Sequence, residues 1–217
     1  MRCRLIDKYN LLAENFSDNQ YINVGGYFKS RFLACNKHGP RFVKGESVLE
    51  LGCGDGEFTC LLLNYGLIVL ATDYSQEMIK QTKKRLVNYD GCSVSRVDVN
   101  NINTYPDKYY DHTIALMRTF LHYSESEKHK NILEHLCSIT KKRLVFDYNP
   151  RIFTESEIKN LVLSSGFSKV YIQGFFYPQT KNIPRFAAVF LDFFSKNVFF
   201  RKLIGRHKFN FIVTAIK

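Results

Sequence analysis

Val48-Leu-Glu50-Leu-Gly52-Cys-Gly54-Asp-Gly56-Glu-Phe58 is the stretch that decides the fold. An apolar β-branched run, Ser47 to Leu51, reads as a strand, and Glu57 to Tyr65 reads as a helix stopped by Gly66. Three glycines stand at the junction. They let the backbone turn sharply and approach a ligand closely. The helix that follows offers unpaired N–H groups at its start. In an open α/β sheet, ligands bind beyond the carboxyl ends of strands, where this turn lies.

The pattern repeats outward from that junction. Leu67 to Asp73 reads as a second, fully buried strand. Ser75 caps a helix running to about Val87, with Gln76 and Glu77 in its first turn. Cys92 to Val97 and His112 to Met117 are third and fourth strands, and Arg143 to Asp147 is a fifth. Ser124-x-x-Glu127 and Thr154-x-x-Glu157 are capping boxes that predict helices near 125–139 and 155–165. Lys169 to Phe176 and Phe209 to Ile216 complete the strand set, as an antiparallel pair at one edge. Strands alternating with helices imply right-handed crossovers and a mostly parallel sheet. Residues 1–46 read as helical and lie outside the repeat. There is no internal repeat and no low-complexity linker.

The second strand ends in Asp73, 17 residues after Gly56. An acid at that place can accept from both hydroxyls of a ribose. The glycines run Gly-x-Gly-x-Gly rather than Gly-x-Gly-x-x-Gly, and Glu50 stands two residues before the first. A buried carboxylate needs partners, such as N–H groups of the loop. It would oppose a pyrophosphate but suits a cationic sulfonium. This weighs against a nicotinamide dinucleotide.

Glu50-x-Gly52-x-Gly54-x-Gly56 followed by Asp73 resembles the class I S-adenosylmethionine-dependent methyltransferase family, small-molecule type. The resemblance covers about residues 40–175. Tyr9-Asn-Leu-Leu-Ala13 and Tyr27-Phe-Lys-Ser-Arg31 are similar to the N-terminal helices of its small-molecule members. The resemblance implies a Rossmann-like three-layer α/β/α sandwich with a seven-stranded, mostly parallel sheet and an antiparallel last strand. It implies S-adenosyl-L-methionine as cofactor and S-adenosyl-L-homocysteine as product. Gly52, Cys53, Gly54, Asp55 and Gly56 would line the methionine part, Glu50 would orient the loop, and Asp73 would hold the ribose. Tyr74 and Met78 would pack near the adenine. Asp98, with Val99 beside it, would receive the adenine amino group. Met117 would face the reacting methyl.

His122 lies five residues past Met117 and is the candidate general base. His112, at the other end of the fourth strand, reads as structural. His129 and His135 fall on an expected surface helix and read as solvated. Asn149-Pro150 follows the fifth strand and reads as a turn that lines the acceptor pocket. Enzymes of the family that methylate base amino groups carry such a motif after the fourth strand, so its position here argues against that activity.

Composition frames the rest. The 217 residues are 45% hydrophobic and 24% charged, which suits one globular domain. The organisation expected is a helical cap over 1–46, a cofactor-binding core over 47–177, a helical insertion over 178–208 and a last strand over 209–217. Net charge is +11. Residues 175–217 hold eight Lys/Arg against Asp192 alone, whereas residues 1–174 carry only +4. The excess therefore belongs to the embellishment rather than to the core. That segment is Phe-rich and basic, and three roles stay open for it: a lid or domain packing, membrane contact, or a dimer interface. The six cysteines form no CxxC pair, so no metal site is expected, and they read as reduced and buried. The start shows no secretory signal. The longest apolar run, Phe186 to Phe194, is interrupted by Asp192 and falls short of a span of roughly 18 residues.

The function expected is methyl transfer to a small-molecule or lipid-like acceptor. The location expected is cytoplasmic, with peripheral contact to the inner face of the membrane through 178–208. The alternatives are an RNA methyltransferase, motivated by charge but lacking any RNA-binding module, and a non-catalytic partner subunit that only binds cofactor. Nucleic acid is not the expected partner, and the oligomeric state stays open.

Overall fold

The computed structural model describes residues 2–21, 23–116, 128–175 and 210–217. Its strands are β1 (Ser47–Leu51), β2 (Ile68–Asp73), β3 (Cys92–Arg96), β4 (Tyr110–Ala115), β5 (Thr140–Tyr148), β6 (Lys169–Phe175) and β7 (Asn210–Ile216). They form one seven-stranded sheet in the order β3-β2-β1-β4-β5-β7-β6. From β1 the chain winds one way through β2 and β3, then crosses back to β4 and β5, all parallel. Such a reversal opens a crevice above the carboxyl ends of β1 and β4. β7 runs antiparallel to both of its neighbours, wedged between β5 and β6, so the expected antiparallel pair is not purely an edge feature.

Helices cover both faces. The cap consists of α1 (Arg2–Leu12), α2 (Phe16–Gln20) and α3 (Val24–Cys35). α4 (Glu57–Tyr65) and α5 (Gln76–Arg85) follow β1 and β2, and α6 (His129–Ile139) and α7 (Glu155–Ser164) flank β5. Side-chain alternation along the strands sorts the core. Leu49, Leu51, Leu144, Phe146 and Tyr148 pack with Leu133, Leu136, Ile158 and Val162 on the α6/α7 face. Val48, Val69, Ala71, Ile114 and Val145 pack with Tyr27, Phe28, Phe58 and Leu62 on the α3/α4 face. Glu50 shares the parity of Val48 and so points toward α4.

Most boundaries match the sequence reading. Gly66 ends α4 at φ 94°, Ser75 caps α5 by accepting from the Met78 N–H, and Thr154 with Glu157 forms a complete capping box. β4 is shifted two residues earlier than expected. β5 extends from the expected five residues to nine. Its added start is polar in sequence, but a buried Thr113–Thr140 hydroxyl pair at 2.7 Å ties it to β4. His129 and His135 are not solvated as expected. His129 is buried against Phe153, and His135 packs edge-on to Tyr105, because both lie beside the apolar stripe of Ile132, Leu133 and Leu136. The Ser124–Glu127 capping box and the 178–208 insertion lie outside the described residues. Among the described residues no helix is long and apolar enough to cross a membrane and no cluster could hold a metal, and Cys35, Cys53, Cys60, Cys92 and Cys137 are free thiols.

At the amino-terminal edge of the sheet, His112 is fully buried, with Nε2 2.7 Å from Glu46 Oε2. Lys142 donates to the same Glu46 carboxylate. Arg143 donates to the His38 carbonyl and to Asn36 Oδ1, which fastens the loop after α3. This network lies at the end of the sheet opposite the crevice.

Candidate functional site

The three motif glycines adopt φ of 75°, 59° and 89°, the left-handed region that L side chains rarely occupy. Gly56 is also hemmed in: a β-carbon there would lie 3.2 Å from Thr82 Cγ2 and 3.4 Å from its Cα. The Gly52 and Cys53 N–H groups both donate to the Thr72 carbonyl, at 2.7 and 2.8 Å, which welds the turn to the end of β2.

Asp73 closes β2 and clasps the same turn. Its Oδ2 accepts from the Gly54 N–H at 3.0 Å and its Oδ1 from the Ser75 N–H at 2.8 Å. A carboxylate offers about four acceptor positions, so capacity remains for a ligand hydroxyl. Burial pushes its pKa up to about 6, against the lowering effect of the backbone N–H bonds from Ser75, Gly54 and Tyr74.

Glu50 is buried, and Thr59 Oγ1 on α4 donates to its Oε2 at 2.7 Å. The expected loop N–H partners are replaced by this hydroxyl, since the loop N–H groups are spent on Thr72 and Asp73. Burial raises the Glu50 pKa to about 7; the Thr59 bond opposes that rise and the nearby Asp73 charge adds to it. Glu50 is thus buried close enough to Asp73 to feel its charge. That arrangement favours a cationic ligand over an anionic one.

Asp55 is also buried, but its carboxylate serves protein groups. The Ser17 N–H and hydroxyl donate to its two oxygens at 3.0 and 2.6 Å, and Arg85 Nη2 lies 3.2 Å from Oδ2. Thr82 and Arg85 were not foreseen. Thr82 Oγ1 donates to the Gly54 carbonyl at 2.6 Å, and Arg85 Nε donates to the Asp55 carbonyl at 2.7 Å. Thr82 extends the Met78–Ile79 stripe of an otherwise charged helix, and that was the available signal. Cys53 Sγ lies 3.6 Å from Thr82 Oγ1.

Tyr74 is held by Arg96, whose guanidinium lies 4.8 Å from the ring centroid and whose Nε donates to the Tyr74 carbonyl. Met78 is fully buried in the first turn of α5. Asp98 follows β3, and its Oδ1 accepts from the Asn100 N–H at 3.0 Å. The Val99 carbonyl accepts from the Tyr105 hydroxyl. Glu50, the glycine turn, Asp73 and Asp98 thus share the carboxyl edge of three adjacent strands. Met117 and His122 lie outside the described residues. The chain enters their segment from Leu116 at the carboxyl end of β4.

The same edge continues past β4 into a second group. Arg31, on α3, pairs with Asp147 on β5 at 3.0 Å, both almost fully buried. Arg31 Nε donates to the Tyr27 hydroxyl at 2.7 Å, and Tyr27 stacks on Tyr21 with centroids 4.0 Å apart.

Comparisons with known proteins agree with this geometry. A family model described as a methyltransferase domain matches residues 48–143. The chain is 26% identical over 122 residues to the chloroplastic magnesium protoporphyrin IX methyltransferase of Arabidopsis thaliana. The match takes in 56% of this chain and 38% of that relative, so the chain spans well under half of it. Two solved structures share the fold. One is a magnesium protoporphyrin IX methyltransferase from Synechocystis PCC 6803 with bound S-adenosylmethionine (TM-score 0.58, 18% identity, 89% of this chain and 81% of that one). The other is an S-adenosylmethionine-dependent methyltransferase from Archaeoglobus fulgidus (TM-score 0.62, 20% identity, 95% and 99%).

Proposed function

Because the methyltransferase domain at residues 48–143 makes the chain a member of the class I S-adenosylmethionine-dependent methyltransferase family, we propose that it transfers a methyl group from that cofactor to a small-molecule or lipid-like acceptor. One observation carries the reading: Asp73 grips the Gly54 N–H of a turn made of three left-handed glycines, above a buried Glu50. This chain's residues fit the cofactor. Asp73 takes the ribose hydroxyls, the turn takes the methionine part, and Asp98 takes the adenine amino group. Glu50 holds negative charge beneath a cation.

Held by Asp73, Asp98 and the glycine turn, the cofactor would supply a methyl group already activated on a sulfonium. The protein's task is then alignment. The crevice over β1 and β4 brings the acceptor in line with the methyl, and the buried Arg31–Asp147 pair makes the far wall rigid. A hydroxyl or ammonium acceptor must also lose a proton, and His122 is assigned to receive it. The magnesium porphyrin named for the Arabidopsis relative is a small molecule, which supports that acceptor class. The same reading carries a cytoplasmic location, with membrane contact through 178–208.

Calorimetry with S-adenosylmethionine tests the core claim, and no binding would overturn it. A cell extract supplied with methyl-labelled cofactor and the protein should yield one labelled small molecule or lipid. Label in RNA alone would replace that acceptor class. Flotation with anionic liposomes tests the membrane contact, and identical behaviour with and without 178–208 would remove it.

A further inference from the structure

The N-terminal segment crosses the mouth of the cofactor turn, and it is fastened on both sides. On one side Ser75 Oγ donates to Asn10 Oδ1 at 2.6 Å, just beyond Asp73. On the other, the Ser17 N–H and hydroxyl donate to Asp55 inside the turn. These attachments straddle the Gly54–Asp73 hydrogen bond. Between them stands Phe16: a β-carbon built on Gly54 would lie 4.0 Å from its Cδ1. Tyr9 supports the ring edge-on, with centroids 5.9 Å apart. Phe16 remains half-buried, so the ring is not absorbed into the core.

The backbone before Phe16 is unusual as well. Asn15 has φ 55° and ψ 34°, and it is the one non-glycine residue with positive φ among the described residues. Asn is among the few L residues that adopt this conformation as single residues. It turns the chain into α2, where Ser17 is bonded to Asp55 and Phe16 stands at the start of the helix, over the turn.

We propose that Phe16 is a cofactor-binding residue, its ring covering the methionine part of S-adenosylmethionine at Gly54, and that Ser17 with Asp55 is the positioning contact that presents it. This rests on the proposed cofactor reading. No motif in the sequence marks Phe16, because the Gly54 turn it faces lies 38 positions away. Covering that part of the ligand excludes water from the turn and slows ligand escape.

The test is calorimetry of S-adenosylmethionine and S-adenosylhomocysteine on wild type, Phe16→Ala, Phe16→Tyr and Ser17→Ala, with each variant's thermal midpoint measured alone. Half-burial of an aromatic ring against ligand predicts roughly tenfold weaker binding of both ligands by Phe16→Ala. Phe16→Tyr should restore binding to within about threefold, and Ser17→Ala should weaken it severalfold. Apo midpoints of the Phe16 variants should stay near that of wild type. Hydrogen exchange of wild type should show amides 9–17 protected by cofactor, with that protection lost in Phe16→Ala. Wild-type affinity in Phe16→Ala, or no cofactor-dependent protection at 9–17, would overturn the inference while leaving the cofactor reading intact. A wild-type protein that binds neither ligand would overturn both.

Discussion

Replacing Glu50 by Gln should flatten the pH dependence of stability. The Glu50 carboxyl has an ordinary pKa of 4.5 and is pushed up to about 7 by burial. In the apo-protein the folded state therefore holds a proton that the unfolded chain has already released. Stability from this group is intact below about pH 4.5. It is lost as pH rises toward about 7, at up to roughly 1.4 kcal/mol per pH unit. Across the window the loss sums to about 3 kcal/mol, an upper figure because water entry relaxes buried charge. Asp73, raised to about 6, loses stability in the same direction, and the two acids are coupled. Gln keeps an acceptor for the Thr59 hydroxyl and removes the titration. Urea unfolding at pH 5 and pH 8 should show wild type losing about 2–3 kcal/mol more than Glu50→Gln over that interval. Bound S-adenosylmethionine, with its sulfonium, should favour the ionised acid, so its affinity relative to S-adenosylhomocysteine should rise with pH in wild type only. Parallel pH profiles for the two proteins would refute the reasoning.

Asp73→Asn gives up the charge and turns an amide NH2 onto one of the two backbone N–H groups, of Gly54 and Ser75, that the carboxylate accepts from; calorimetry should show S-adenosylmethionine binding weakened at least tenfold, and urea unfolding a loss of about 1–3 kcal/mol. Thr82→Val keeps the side-chain volume and removes the buried hydroxyl that donates to the Gly54 carbonyl. It should cost about 1–2 kcal/mol in urea unfolding and weaken cofactor binding in parallel. Arg31→Met removes the guanidinium that pairs with the buried Asp147. It should cost about 3–5 kcal/mol, and adding Asp147→Leu should recover a large part, as a double-mutant cycle would show.

The elements legible in the sequence are those whose signals are local. α4 and α7 are bounded by a left-handed glycine or a complete capping box, and both match to within a residue. β1 and β6 read directly as apolar or alternating runs. The expected β5 begins only at Arg143, because Thr140, Lys141 and Lys142 are polar. Only the Thr113 hydroxyl on β4 and the Glu46 carboxylate, far away in sequence, explain why a polar start can be strand. His129 and His135 failed for the same kind of reason: a histidine beside an apolar stripe is solvated or packed according to what the neighbouring loop brings, here Phe153 and Tyr105.

The site divides along the same line. Glycine spacing and the acid at the end of β2 are local, and they converge at the carboxyl edge as the motif implies. Asp55 lies inside the motif, yet its carboxylate is spent on Ser17 and Arg85, 38 and 30 positions away. A position within a motif therefore fixes where the backbone runs but not what the side chain does. Thr82, Arg85 and Ser17 hold the turn from two different helices. A turn built of left-handed glycines has little intrinsic rigidity, so its shape depends on those bonds. The cofactor turn and the N-terminal cap are then one mechanical unit. Loosening Asp55 should be felt at both: weaker ligand binding together with faster amide exchange in α2, whereas a residue that only touched ligand would change the first alone.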